Sequence, residues 1–431
     1  MIARMPLSSA EPTLSVVIPA HDEAENLAIL LPALRRDLER LGVASEIVVV
    51  CREPDGRTWS VVEDNAARLV KQERPGYGGA LVAGFAEARG EWILTMDADL
   101  SHRPNFIADL WNQRDRADFV IASRYVPGGS AEMPRDRYLM SRLLNETFRT
   151  GLALPLRDLS SGYRLFRRRI IEGMPITSSN FAAVQEIVVR AAAAGWTVTE
   201  VPFAYAPREH GDSKARALKF GPEYLRTLGS LWKLRNSVAS ADYDYRAHDS
   251  RIPLQRYWQR TRYRHVTDLI AGEGPVLDVG CGSSRIVGAL PPGSVALDVL
   301  PGKLRVARRM GAPVVTGTIA ALPFRAGAFP CVLCSEVVEH VPVEWPSLDE
   351  LERVLAPGGR LVLGTPDYAR WEWNALEWAY GKVAPNAYAD EHITHYSHAS
   401  LVGQMESRGL RHEETRYVGR GEMIIAFRKG R

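Results

Sequence analysis

The stretch Trp92-Ile93-Leu94-Thr95-Met96-Asp97-Ala98-Asp99 carries an apolar run straight into two carboxylates separated by a single residue. A short apolar run of this kind reads as a buried strand, and carboxylates at its carboxyl end stand where α/β folds place their ligands. Two carboxylates in such a loop can share a divalent cation with a diphosphate, because Mg²⁺ commonly takes one or two protein carboxylates plus phosphate oxygens. An Asp-x-Asp pair alone reads equally well as a solvated or capping pair, so its meaning depends on what surrounds it.

The surroundings repeat one grammar of apolar strand, loop and helix. Leu14 to Pro19 reads as a buried strand, Glu23 to Leu41 as a helix, Glu46 to Cys51 as a second strand and Glu91 to Met96 as another, a parallel-sheet pattern. The pattern restarts near Pro275, with strands expected at Pro275 to Val279, Ser294 to Asp298, Cys331 to Ser335 and Arg360 to Gly364, and a helix at Ser347 to Leu355. Between Asn236 and Ile252 the sequence is polar and without apolar period, which places a linker there and predicts two domains, residues 1–238 and 239–431. The length of 431 residues agrees, since single cores stop growing at roughly 250 to 300 residues. The reading is therefore α/β in both halves.

Composition narrows the function. Lys plus Arg is 54 against 51 for Asp plus Glu, so the net charge of +3 carries no bulk signal for nucleic acid. The four cysteines are too few and too scattered for a disulfide framework, which points to a reducing compartment. No apolar run approaches the ~20 residues that cross a bilayer, and Met1 to Pro12 lacks the apolar core of a secretory signal. A cytoplasmic protein is expected.

Around the carboxylate pair stand further motifs: Val17-Ile18-Pro19 with Glu23, Gly76-Tyr77-Gly78, Met96-Asp97-Ala98-Asp99-Leu100-Ser101-His102, Ser123-Arg124-Tyr125, Asp158-Leu159-Ser160-Ser161-Gly162-Tyr163-Arg164, and Arg208-Glu209-His210-Gly211-Asp212-Ser213-Lys214. In order and spacing, residues 14–216 resemble family 2 glycosyltransferases of the GT-A fold, in particular dolichol-phosphate mannosyltransferase-like enzymes acting on polyprenyl phosphates. The resemblance implies that Pro19 and Glu23 border the nucleotide base and that Asp97 and Asp99 hold Mg²⁺ or Mn²⁺. It puts Ser101 where the family often has a metal-contacting Gln. It places Ala98, Arg124 and Asp158 in the donor or acceptor site, and Arg208 and Lys214 on diphosphate or acceptor phosphate. The family usually ends its second strand in an acidic pair, whereas this chain reads Val49-Val50-Cys51-Arg52-Glu53-Pro54-Asp55-Gly56. Asp55 here is expected to shape the turn with Gly56, and the donor nucleotide, GDP or UDP, stays open.

A lipid phosphate is already an anionic nucleophile and needs no general base, whereas a hydroxyl acceptor would need one, for which Asp158 and Glu186 are the candidates. After the last motif, Tyr224, Leu225, Leu228, Leu231 and Trp232 fall on one helical stripe among Lys219, Arg226, Lys233 and Arg235. Packing against the rest of the protein is the expected use of this stripe, and peripheral contact with an anionic membrane surface is the alternative.

In the second half, Val276-Leu277-Asp278-Val279-Gly280-Cys281-Gly282 puts a strand before a tight glycine turn, and the next strand ends at Asp298, where a carboxylate can accept ribose hydroxyls. A dinucleotide fingerprint would want Gly where Arg285 stands, which argues against NAD. With Leu322-Pro323-Phe324, Phe329-Pro330-Cys331-Val332, Glu339-His340 and Leu355-Ala356-Pro357-Gly358-Gly359-Arg360-Leu361, residues 253–431 resemble class I S-adenosylmethionine-dependent methyltransferases, a doubly wound Rossmann-like fold. The resemblance implies that Asp278, Gly280 and Gly282 border the methionine part of the cofactor and Asp298 its ribose. The chain departs from it at Thr318, where an adenine-contacting Asp is common, and at Pro330. Candidate bases are His340, His392 and His395; the last two resemble a metal spacing only loosely and are expected in structural or substrate-contact roles. Trp371, Trp373 and Trp378 are expected to be buried, with a pocket cover as the alternative, and Cys331 and Cys334 lie in an apolar strand without a second Cys pair, which excludes zinc.

The expectation is thus a bifunctional enzyme: a glycosyltransferase using a GDP- or UDP-linked sugar and polyprenyl phosphate, fused to a methyltransferase of the same glycolipid or polysaccharide pathway. The rivals are transfer to a hydroxyl acceptor, and a catalytically impaired sugar-nucleotide-binding or scaffold domain joined to an active methyltransferase.

Overall fold

All six residues of β1 (Leu14–Pro19) are buried, so neither face of this strand meets water and helices must cover both. One of them is the helix Ala24–Leu41, whose buried Leu27, Leu30, Leu31, Leu34 and Leu38 recur at the three- and four-residue spacing of a single helical face. The structure, a computed structural model, describes residues 11–206, 217–383 and 392–431. The chain forms two compact units, residues 1–192 with 196–232, and residues 193–195 with 233–431.

In the first unit, β1 lies between β2 (Ser45–Cys51) and β4 (Trp92–Thr95), parallel to both. The remaining strands are β3 (Arg68–Lys71), β5 (Phe119–Ser123), the short β6 (Ser130–Ala131), β7 (Arg164–Arg167), β8 (Val198–Pro202) and β9 (Ala204–Tyr205). The main sheet runs β3-β2-β1-β4-β7-β5-β8, and β6 pairs with β9 apart from it. The sheet is mixed rather than purely parallel as the sequence pattern implied, because β7 runs antiparallel to both β4 and β5. Strand order reverses between β1 and β4, so the loops that leave their carboxyl ends diverge and open a crevice.

The second unit repeats this device. β10 (Val276–Val279) lies between β11 (Val295–Asp298) and β13 (Phe329–Ser335) in the order β12-β11-β10-β13-β14-β16-β15, with β12 at Val314–Thr316, β14 at Leu355–Pro366, β15 at Leu410–Val418 and β16 at Glu422–Lys429. β16 is antiparallel to both neighbours. Pro330 has no N–H to give the β13–β14 ladder, and the register shifts there, between Phe329 and Cys331.

Two expectations change. The polar segment Asn236 to Ile252 is no bare linker: it holds the helix Tyr243–Ala247, with Tyr243 and Ala247 buried. Just before it, buried Arg235 forms a two-pronged pair with Asp242, at 2.6 and 2.9 Å. The stripe of the helix Ala217–Arg235 is divided: Leu231 is buried, whereas Leu225 is 71% exposed and Trp232 50%. Among the described residues no helix is long and apolar enough to cross a membrane.

Candidate functional site

The loops after β1 and β4 face each other across a cleft of about 460 Å³, lined by Pro19, Glu23, Arg52, Tyr77, Asp97, Ala98, Asp99, Asn180 and Phe181 among others. Five of the residues expected at the donor site thus meet in one place: Pro19, Glu23, Asp97, Ala98 and Asp99. Each carboxylate of the pair has its own support. Tyr77 donates to Asp97 Oδ1 at 2.8 Å, and the Asp97 backbone N–H donates to Nδ1 of buried His102 at 2.9 Å. That bond leaves the His102 proton on Nε2, which lies 3.8 Å from Asp97 Oδ2, and the imidazole stacks on Tyr163. Burial, and then the Asp97 charge, hold the Tyr77 phenol well above its ordinary range, so it stays a donor. Its ring stacks on Phe181 at 4.9 Å.

Ser101 does not face the cleft. Leu100 takes a left-handed φ of 64°, which turns the chain so that the Ser101 N–H and hydroxyl both donate to Asp99 Oδ1. Ser101 is fully buried behind the carboxylate it orients, which corrects the expectation of a metal-contacting Ser101.

Arg124 and Asp158 are likewise withdrawn from the cleft. Asp158 is fully buried and takes a two-pronged bond from the Arg124 guanidinium at 2.7 and 2.8 Å, with further bonds from the backbone N–H groups of Arg124, Ser160 and Ser161. Burial alone would raise this carboxyl, but the Arg124 charge and these donors hold it below its ordinary range. Glu186 is engaged in the same manner by Thr177, the Ser178 N–H and Arg190, and is also held low against the effect of burial. Neither carboxylate is poised to take a proton, so both candidate bases for a hydroxyl acceptor are corrected to structural anchors. Asp55 accepts from the Thr58 N–H at 2.7 Å as the N-cap of the helix Gly56–Asp64, as its turn with Gly56 implied. Arg208 and Lys214 lie outside the described residues.

Tyr77, Gly162 and His102 stand inside sequence motifs that assign them no role, and Asn180 and Phe181 stand in none. Asn180 is fixed by Glu223, which accepts from its backbone N–H at 3.0 Å and from Nδ2 at 2.7 Å. No local pattern marks such a contact.

In the second unit the turn after β10 takes Gly280 at φ 70° and Gly282 at φ 55°. A methyl group on Gly280 would lie 2.2 Å from Val337 Cγ2, so only glycine fits. The Gly282 N–H donates to Asp298 Oδ2 and the Leu300 N–H to Oδ1, both at 2.8 Å, which brings the expected ribose acid against the glycine turn. Asp278 is buried beneath the turn, where burial and then the Asp298 charge push its carboxyl up to about 7. Val299 and Leu300 are exposed beside Asp298. The structure adds Asp244, from the segment read as a linker: its carboxylate accepts from Lys303 Nζ at 2.7 Å and from the Ser283 N–H at 3.3 Å. This donor and acceptor set fits a nucleoside cofactor, with close backbone approach, an acid at the second strand tip and an apolar surface beside it.

His340 follows β13, on the loop that faces the glycine turn across the switch point. His392 packs beside it, with ring centroids 4.8 Å apart, whereas His395 stacks on Tyr368 at 4.0 Å. Trp373 is buried, but Trp371 and Trp378 are 74% and 66% exposed, which corrects the expected burial of all three. The four cysteines are free and buried.

Comparison with known proteins assigns these two units. Residues 15–174 match glycosyl transferase family 2, and residues 277–363 match a methyltransferase domain. The chain is 33% identical over 235 residues to the dolichol-phosphate mannosyltransferase of Pyrococcus furiosus, covering 52% of this chain and 65% of that protein. It is 32% identical over 214 residues to the polyprenol monophosphomannose synthase of Mycolicibacterium smegmatis, covering 46% of this chain and 79% of that protein. The chain belongs to glycosyl transferase family 2. Its family 2 domain is joined to a second domain of the methyltransferase type, and the chain spans about two thirds of the length of the Pyrococcus relative. Among solved structures it is similar to glucosyl-3-phosphoglycerate synthase from Mycobacterium tuberculosis in complex with Mn²⁺, uridine diphosphate and glucosyl-3-phosphoglycerate, with 19% identity and a TM-score of 0.42, covering 51% of this chain and 80% of that one.

Proposed function

We propose that the family 2 domain transfers a sugar from a GDP- or UDP-linked donor to a polyprenyl phosphate, and that the second domain methylates a product of the same glycolipid or polysaccharide pathway with S-adenosylmethionine. The observation that carries the first half is the meeting of Asp97 and Asp99 with Pro19 and Glu23 on one cleft at the switch point between β1 and β4. The names of the two relatives support a polyprenyl phosphate as acceptor.

Asp97 and Asp99 would hold Mg²⁺ or Mn²⁺, which neutralises charge on the departing diphosphate. Tyr77 and Ser101 hold the two carboxylates in place, so that little reorganisation is needed when donor binds. Pro19 and Glu23 border the base, and Arg208 and Lys214 grip phosphate. The commitment of Asp158 and Glu186 to buried contacts favours an acceptor that is already anionic over a hydroxyl. Exposed Leu225 and Trp232, with Leu139 and Leu143 on the helix Arg135–Gly151, support peripheral contact with a membrane that carries the lipid.

In the second domain Asp298 would take the ribose hydroxyls of S-adenosylmethionine, and Asp278, Gly280 and Gly282 would border its methionine part. Bound S-adenosylmethionine supplies an electrophilic methyl group, and the domain's own task is to align an acceptor with it. His340 is the residue this reading places against that acceptor.

The test is incubation of the full chain with a panel of sugar nucleotides and polyprenyl phosphate, reading nucleotide release and lipid product. Release with a hydroxyl acceptor but not with the lipid would overturn the acceptor, and binding without release would reduce the first domain to a sugar-nucleotide binder. Calorimetric titration with S-adenosylmethionine and NAD decides the second domain, since binding of NAD alone would overturn the methyltransferase reading.

A further inference from the structure

Glu339, His340 and His392 converge in the second domain, each offering one donor atom within 4.8 Å of the other two. Glu339 is fully buried, and the His392 side chain is 3% exposed. Thr365 donates to Glu339 Oε2 at 3.0 Å, whereas Oε1 is buried with no hydrogen-bond partner among the described residues and lies 4.0 Å from His340 Nε2. The other face of His392 is fixed: its Nδ1 meets Tyr368 Oη at 2.7 Å and Glu377 Oε1 at 3.1 Å, and Tyr368 in turn donates to the same Glu377 oxygen at 3.0 Å. With the Nδ1 proton directed at a carboxylate, Nε2 carries the lone pair, and it too is buried without a hydrogen-bond partner among the described residues. The backbone keeps the two segments of the cluster together, because the N–H groups of Ile393 and Thr394 both donate to the Glu339 carbonyl, at 2.9 and 3.0 Å.

Buried acceptors without donors call for an explanation in any folded protein. Here one carboxylate oxygen and one imidazole nitrogen, both acceptors, stand beside a second imidazole. Acceptors that crowd together repel one another unless a cation lies between them. A histidine whose remote nitrogen is anchored to a carboxylate is the usual arrangement of a metal ligand, since the anchor fixes the tautomer and the ring. Two imidazoles and one carboxylate suit first-row transition metals better than Mg²⁺ or Ca²⁺, which prefer all-oxygen shells.

We propose that Glu339, His340 and His392 bind one divalent transition-metal ion at the mouth of the second domain's crevice. Among the described residues three protein ligands leave coordination positions open, and the His340 side chain is 25% exposed. The site adjoins the glycine turn, since Val337, which limits Gly280, is two residues from Glu339. One extension rests on the methyltransferase reading: the open positions then take an oxygen of the methyl acceptor. The proposal makes His340 a ligand in place of a general base, and it replaces the expected structural role of His392.

The experiment uses the full chain carrying Asp97→Asn and Asp99→Asn, which removes the carboxylate pair of the first domain as a competing site. Mn²⁺ is titrated and followed by electron paramagnetic resonance, with pulsed measurement of nitrogen coupling, and Zn²⁺ is titrated by calorimetry. One ion per chain with histidine nitrogen coupling is expected. His392→Ala and Glu339→Gln should each abolish or severely weaken binding, and Glu377→Gln should weaken it by about tenfold to a hundredfold. Circular dichroism checks the fold of each variant, and where one misfolds, the nitrogen coupling of the unsubstituted site decides alone. No binding of either ion, Mn²⁺ bound without nitrogen coupling, or full affinity in folded His392→Ala would overturn the proposal. Titration of the same preparation with S-adenosylmethionine separates the two readings. Cofactor binding without metal binding overturns the ion alone, and metal binding without cofactor binding overturns only the extension to a methyl acceptor.

Discussion

Tyr77 donates to Asp97 Oδ1 at 2.8 Å, and Gly162 leaves the space this contact needs: a methyl group there would stand 2.9 Å from the Tyr77 oxygen and 3.3 Å from Asp97 Oδ1. Tyr77→Phe keeps the stack on Phe181 but removes the donor. A hydrogen bond to a charged group contributes about 1.5–3 kcal/mol, so glycosyl transfer should fall by roughly tenfold to a hundredfold. Gly162→Ala, which displaces both partners, should lower it at least as much. Steady-state rates with saturating donor and metal check this, and a Tyr77→Phe enzyme of unchanged rate would remove Tyr77 from the site.

Asp97→Asn and Asp99→Asn should each nearly abolish nucleotide release, because a divalent ion held by one carboxylate neutralises the leaving diphosphate poorly. The family 2 activity should also vanish in excess chelator and return with Mg²⁺ or Mn²⁺. Binding of S-adenosylmethionine should be unaffected in both variants, and full transfer in either would refute the assignment.

Asp158→Asn tests whether this carboxylate is anchor or base. The change leaves the largely covered Arg124 without its buried counter-charge, and breaking a buried pair from one side costs about 3–5 kcal/mol. Denaturant unfolding should report that loss. The pH–rate profile of whatever activity survives should keep its shape; a lost acidic limb with undiminished stability would restore Asp158 as a general base.

Asp278 gives a pH signature. Its carboxyl is pushed up to about 7 in the fold, whereas an unfolded Asp ionises near 4. Between roughly pH 4 and 7 the folded chain therefore holds a proton that the unfolded chain has lost, and this residue's contribution to stability declines as pH rises through that window. Asp278→Asn removes the cost of the buried charge, so it should raise Tm more at pH 8 than at pH 5 while weakening S-adenosylmethionine. Thermal unfolding at the two pH values decides it, and equal shifts at both would contradict the assignment.

The first strands of both sheets, and the residues that stand at their carboxyl ends, were legible in local pattern. An unbroken apolar run such as Leu14–Pro19 must be buried on both faces, and the residues that follow it emerge at the strand's carboxyl end, so Asp97, Asp99, Gly280 and Asp298 were placed by chain continuity alone. The hairpin of β15 and β16 and the antiparallel course of β7 were not legible, because local pattern carries no strand direction. Side-chain partnership was left to the tertiary structure. Asp158 looked like a base until Arg124, 34 residues away, closed on it; Ser101 looked like a ligand until the left-handed turn at Leu100 folded it behind Asp99. Asp244 came to the glycine turn from a stretch that reads as linker, and His392 came to Glu339 from a distant loop. Periodicity records which face of an element is apolar, whereas the charge state and availability of a polar group depend on what the rest of the chain brings within about 4 Å of it, and that is set only when the elements pack.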